Sequence, residues 1–241
     1  QDSGSYSYGT VPGNVTISSS GGTLSNTTVN GDLYITAGVG TGFVNLENVN
    51  VLGDVIISGG GQSNAGDNSI NFNNCYINNL IVDGEADKVV SVDAKGSTQI
   101  QKTVVKTDAY FEDFGGRDEG FLNIELSGEP ETTLTLSGDY KNVSVMKPEN
   151  YLVLGKGSIY NLTVDEDAQD SLVTLDKNAY VLNASLDAPC QVIGEGDMGS
   201  VNITSSGVEV EMLPDEIVIR PGLTAVINGK EMTSQEAEES S

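Results

Sequence analysis

The sequence predicts an all-β fold: a single-stranded right-handed parallel β-helix of about nine or ten coils, closed by a C-terminal β cap. Three observations predict it. A four-residue unit, a polar Asn or Asp followed by aliphatic, short and aliphatic residues, returns at intervals of ~20 residues along the chain. Apolar and polar residues alternate with period two in and around each copy, as in a strand with one buried face. Helical spacing at i, i+3, i+4 is sustained nowhere, while glycine and Asn/Asp clusters punctuate the runs as turns require.

Taken in order, residues 1–10 open with Gln1-Asp2-Ser3-Gly4-Ser5 and read as a flexible tether, the start of an exported chain whose signal has been removed. The β-helix is assigned to 11–230. Its unit appears as Asn14-Val15-Thr16-Ile17, Asp32-Leu33-Tyr34-Ile35, Asp54-Val55-Ile56-Ile57 and Asn79-Leu80-Ile81-Val82. It returns as Asn142-Val143-Ser144-Val145, Asn161-Leu162-Thr163-Val164, Asn183-Ala184-Ser185-Leu186 and Asn202-Ile203-Thr204, and blurs between Asn79 and Asn142. A repeat this short is less than half a propeller blade of ~40–45 residues, and a coil of a parallel β-helix fits it. A lone coil cannot bury its apolar face, so stability has to accumulate through stacking.

A second element precedes the early copies. Leu24 to Val29 aligns with Leu46 to Val51, and both align with Phe72 to Ile77. Asn26, Asn48 and Asn74 then occupy one turn position, where their amides are expected to form a ladder along the stack. Cys75 aligns with the inward Val49 and reads as a small buried hydrophobe. Cys190 lies about five coils further on, beyond the ~7 Å that a disulfide spans, so no bridge is expected.

Regularity breaks at two acidic stretches. Residues 107–120 read as an insertion between coils, and solenoid insertions gather on one face, often the binding face. Its Tyr110, Phe111 and Phe114 are candidate platforms for sugar rings, with Arg117 beside them. Its Asp108, Glu112, Asp113, Asp118 and Glu119 are candidate ligands for Ca²⁺, which takes six to eight oxygens. Asp165, Asp167 and Asp170 form a second candidate calcium group, without the glycine and terminal glutamate of an EF-hand loop. Ser20-Gly21-Gly22 and Gly59-Gly60-Gly61, the latter opening a loop through Asn68, are turns rather than phosphate cradles, since neither a P-loop lysine nor a helix follows. Ile217-Val218-Ile219 and Leu223 to Ile227 flank Arg220-Pro221-Gly222, and 214–230 is read as the cap. Residues 231–241 are polar and acidic, a composition expected to be disordered.

Charge narrows the partners. The chain of 241 residues carries 35 acidic against 11 basic residues, a net charge of −24. That sign repels phosphate backbones and anionic lipid surfaces, which sets nucleic acid aside. No apolar run approaches the ~20 residues of a membrane-spanning helix. The chain has no histidine, so neither cysteine has a histidine to activate it as a nucleophile.

The run Gly31-Asp32-Leu33-Tyr34-Ile35-Thr36-Ala37-Gly38-Val39-Gly40, followed by Val44 to Val51, resembles the β-helical repeats of cell-envelope proteins of Gram-positive anaerobes, often found beside S-layer-homology domains. Pro221-Gly222-Leu223 through Lys230 resembles the closing segment of such modules. The resemblance implies an exported protein displayed on the wall and brings no catalytic residues. The wider fold resembles the pectate-lyase-like β-helix, whose members include lyases, hydrolases and sugar-binding proteins. The expectation is therefore a non-catalytic, secreted or cell-surface adhesion module, whose partner is a cell-wall, host or plant polysaccharide or a surface protein. The alternative is a calcium-assisted binder of pectin-like polysaccharide, and a polyuronate lyase comes third. No cofactor is expected beyond possible Ca²⁺.

Overall fold

The computed structural model describes residues 4–61, 69–85 and 88–238. It is a parallel β-solenoid of about ten turns, 62% strand and 3% helix. The chain divides into two compact units, Gln1–Ile124 and Glu125–Ser241.

In the first unit the repeated tetrapeptides stack in parallel. Val15 pairs with Leu33, Leu33 with Val55, Val55 with Leu80 and Leu80 with Thr103, and Ile17, Ile35, Ile57, Val82 and Val105 form a second row. Every aliphatic of both rows is buried, because period-two alternation sends these side chains inward at each coil. A second set of strands supplies the rows Val44–Ile70–Val92–Phe111 and Leu46–Phe72–Ala94.

The polar residue that opens each unit is also stacked. Asn14 Oδ1 accepts from the Asp32 amide at 2.9 Å, Asp32 Oδ1 from the Asp54 amide at 3.0 Å, and Asn79 Nδ2 donates to Asp54 Oδ1 at 2.9 Å. The expected asparagine turn is present: Asn26, Asn48 and Asn74 have φ of 46°, 52° and 53°, and Asn48 Nδ2 donates to Asn26 Oδ1 at 3.1 Å. Asn74 instead accepts from the amide and hydroxyl of Ser97.

In the second unit, Val143–Leu162–Ala184–Val201–Ile217 and Val145–Val164–Leu186–Ile203–Ile219 form the matching inward rows. Asn161 Nδ2 donates to Asn142 Oδ1 at 2.8 Å, Asn183 Nδ2 to Asn161 Oδ1 at 3.2 Å, and Ser200 Oγ to Asn183 Oδ1 at 3.0 Å. Tight stacking leaves little room at Gly157, φ 92°, where a Cβ would overlap the carbonyl oxygen of Gly138 in the adjoining coil.

Four expectations are corrected. Residues 5–11 are a strand, not a tether: Ser5–Val11 lies in parallel register against Gly22–Val29, because the second element of the first coil already pairs. Residues 107–120 are not an insertion, since Ala109–Asp113 is a regular strand against Val90–Lys95 and Gly120–Phe121 pairs with Gln99–Ile100. Glu216–Ile219 is a further coil strand rather than part of the cap. The cap is the antiparallel hairpin Thr224–Ile227 and Lys230–Thr233, turned at Asn228-Gly229 with φ of 49° and 71°, where a two-residue turn needs positive φ at both positions. Helix Ser234–Glu238 follows the hairpin, so 231–238 is ordered, and Glu236 accepts from the Thr233 amide at 3.0 Å. Residues 1–3, the loop 62–68 and the end of the tail at 239–241 lie outside the described residues.

Candidate functional site

The residues of 107–120 separate into three environments. Phe111 faces inward, fully buried, stacked on Phe121 with ring centroids 4.6 Å apart and planes 1° apart. It is a core residue, not a sugar platform. Asp113 is also buried: Oδ1 accepts from the Gly115 amide at 2.9 Å and Oδ2 from the Phe121 amide at 3.0 Å. Those bonds fold the turn that returns the chain into the next strand, so Asp113 is not placed as a metal ligand. Tyr110 and Glu112 point outward opposite Ser91 and Asp93, and Asp108 ends the preceding turn with its carbonyl accepting from the Val90 amide. Arg117 and Asp118 are exposed, and Glu119 lies half-buried in the same turn.

In the second unit Asp165 Oδ1 accepts from the Asp167 amide at 3.2 Å, and Asp170 takes φ 58° with its amide donating to Pro189 O. These are turn-forming arrangements. Among the described residues no three carboxylates or thiols converge as a group able to hold a metal.

Phe114 alone of the three predicted aromatics is freely presented, with 56% of its surface exposed. It borders an open groove of about 420 Å³ on the outer face of the first unit. Two outward rows build that groove. Asn45, Asn71, Asp93 and Glu112 stand in register on four successive coils, and Glu47, Asn73 and Lys95 form the neighbouring row. Phe114 follows Glu112 in the same outward phase, anchored by its amide donating to Ala94 O at 2.9 Å. At ~4.8 Å per coil the groove runs about 14 Å along the stack.

Lys95 is the centre of its electrostatics. Its Nζ donates to Asn71 Oδ1 at 2.7 Å and Asp93 Oδ2 at 2.9 Å, and lies 5.2 Å from the centroid of the Phe114 ring. The Asp93 side chain is only 9% exposed against 39% for Lys95. The ammonium therefore compensates a carboxylate that would otherwise be buried unpaired. With Glu47, Asp93 and Glu112 against Lys95, the groove is net acidic by two charges. The arrangement can offer an aromatic face and a fixed array of amide and carboxylate groups to a polar ligand.

Sequence reasoning placed Phe114 and Glu112 at a candidate site and missed Asn45, Glu47, Asn71, Asn73, Asp93 and Lys95. Asp93 and Lys95 lie in the stretch where the repeat blurs, so no register connected them to Asn71 and Asn73. A second groove of about 380 Å³ in the other unit is lined by Tyr151, Asp170, Leu172, Pro189 and Gln191.

Both cysteines are buried and free. Burial pushes the Cys75 thiol up to about 11 and the Cys190 thiol to about 12, with the Asp187 carboxylate adding at Cys190. Neither is disposed to act as a nucleophile at neutral pH.

The chain matches no protein-family profile, no curated protein and no solved structure. No helix among the described residues is long and apolar enough to cross a membrane.

Proposed function

We propose that this chain is a non-catalytic module of a bacterial cell envelope, displayed outside the cell, that binds a neutral polysaccharide in the groove of its first unit. The observation that carries the reading is the Phe114 ring standing exposed beside the ordered Lys95–Asp93–Asn71 network. A pyranose ring offers an apolar C–H face and a rim of hydroxyls. The first suits an aromatic face, and the second suits amide and carboxylate groups whose positions are already fixed by packing. The repeat of ~4.8 Å between coils is close to the length of one sugar unit in an extended chain, so successive coils can address successive units. The net acidity of the groove disfavours uronates and other anionic glycans. The resemblance to wall-associated β-helical repeats, including those found beside S-layer-homology domains, supports the cell-surface placement.

Calorimetric titration with neutral oligosaccharides, alongside polygalacturonate with and without calcium, tests this. The expected result is weak saturable binding of a neutral oligosaccharide, reduced about tenfold by Phe114→Ala, which corresponds to ~1.4 kcal/mol and lies within the range of aromatic contacts. Binding of polygalacturonate alone, or neutral-glycan binding indifferent to Phe114→Ala, would overturn the reading.

A further inference from the structure

The outward face of the repeated tetrapeptides departs from the alternation that defines the rest of the coil. Between the inward rows of the first unit, the outward residues are Thr16, Tyr34, Ile56, Ile81 and Val104, in register on consecutive strands. Four of the five are apolar or aromatic, and these four are half-buried within their own chain. A strand segment reading Val-Ile-Ile or Leu-Ile-Val is the pattern of a sheet covered on both faces. Coil geometry does not demand it. The equivalent outward row of the second unit reads Ser144, Thr163, Ser185 and Asn202 before reaching Val218.

We infer that this apolar stripe is a self-association surface, covered by the same stripe of a second copy of the chain. The flanking charges specify the occupant. One side of the stripe carries, in coil order, Asp32, Asp54, Asn79 and Lys102. The charge therefore runs from acidic at one end to basic at the other. A two-fold axis lying in the interface, parallel to the strands and passing between Ile56 and Ile81, reverses coil order in the second copy. Ile56 then meets Ile81, Tyr34 meets Val104, and Asp32 meets Lys102, each contact occurring twice. That self-complementarity is what an isologous interface requires, and no face of uniform sign would provide it. A chain of net charge −24 needs such local complementarity to approach its own copy at all.

The expected strength follows from the area. Five coils at ~4.8 Å and three outward rows about 6.6 Å apart describe a face on the order of 400–500 Å² per copy. Doubled, this falls below the ~1,200–2,000 Å² of stable complexes. The dimer is accordingly reversible and fills only at high protein concentration, as on a crowded surface. This inference does not depend on the glycan groove, whose residues stand in other outward rows of the coils.

Sedimentation of the full chain over a wide concentration range tests it. The wild-type weight-average mass is expected to rise from 25.2 kDa towards twice that value. Ile56→Glu and Ile81→Glu, both outward and so compatible with folding, are expected to hold the mass at the monomer value with an unchanged circular dichroism spectrum. Lys102→Glu should weaken the dimer, and mixing it with Asp32→Lys should restore association, since each chain then meets its opposite charge. A constant monomer mass at every concentration, or a dimer indifferent to both isoleucine substitutions, overturns the inference.

Discussion

Asn48 separates two contributions that the turn combines. Its φ of 52° lies in the left-handed region, and its Nδ2 donates to Asn26 Oδ1 at 3.1 Å on the exposed edge of the stack. Asn48→Ala removes the hydrogen bond, worth about 0.5–1 kcal/mol at an exposed site. It also places a side chain with no local polar compensation in a conformation that costs roughly 1–2 kcal/mol. The expected loss is therefore about 1.5–3 kcal/mol. Asn48→Gly loses the same hydrogen bond and raises the entropy of the unfolded chain, which costs some stability, yet carries no left-handed penalty. Glycine should be milder than alanine by about 1 kcal/mol. Urea unfolding followed by circular dichroism measures both, with an unchanged m-value establishing that only stability has moved. If alanine were tolerated as well as glycine, the conformational argument for this asparagine position would be wrong, and the side-chain ladder alone would have to explain it.

The interior offers a gain as well as losses. Thr103 occupies the inward row of Leu33, Val55 and Leu80, fully buried, and its Oγ1 has no hydrogen-bond partner, so Thr103→Val should stabilise by about 1 kcal/mol in the same assay. Gly157→Ala should cost about 2–5 kcal/mol, combining positive φ with overlap on Gly138, and should lower the thermal midpoint accordingly. The thiols define an alkaline window. Their folded values near 11 and 12 exceed the ordinary 9.0, so between these limits the unfolded chain has released protons that the folded chain retains. Their contribution is intact below pH 9.0 and is lost as pH rises through about 11 and 12. The stability gap between wild type and Cys75→Ala/Cys190→Ala, measured in urea, should therefore shrink from neutral to strongly alkaline pH, and a constant gap would contradict the burial argument.

The coils were legible because hydrophobic burial at each repeat imposes the same alternation. Asp32-Leu33-Tyr34-Ile35 and Asn161-Leu162-Thr163-Val164 differ in detail yet place their aliphatics identically. The middle of the chain was obscured for a physical reason. Lys102-Thr103-Val104-Val105 puts a threonine where an aliphatic is expected and a lysine where the polar ladder residue stands. Asn123-Ile124-Glu125-Leu126 restores the pattern, with Ile124 and Leu126 buried, but no neighbouring copy marked it. Residues 107–120 looked like an insertion because Asp108, Glu112 and Asp113 interrupt the apolar signal. The structure uses the buried Asp113 to bind two backbone amides, which composition alone does not reveal. The groove was least legible, since Asn45, Asn71, Asp93 and Glu112 become neighbours only through inter-coil register. The hairpin at Asn228-Gly229 did carry a readable turn signal, overshadowed by the Pro221-Gly222 turn just before it.

Amide-resolved NMR of the labelled protein, titrated with the neutral oligosaccharide that binds best, addresses register and site together. The account predicts concerted shifts at 45–47, 71–73, 93–95 and 112–114, four segments far apart in sequence and adjacent only in stacked parallel coils. Shifts confined to one of those segments, or gathered instead around Tyr151 and Leu172, would contradict it.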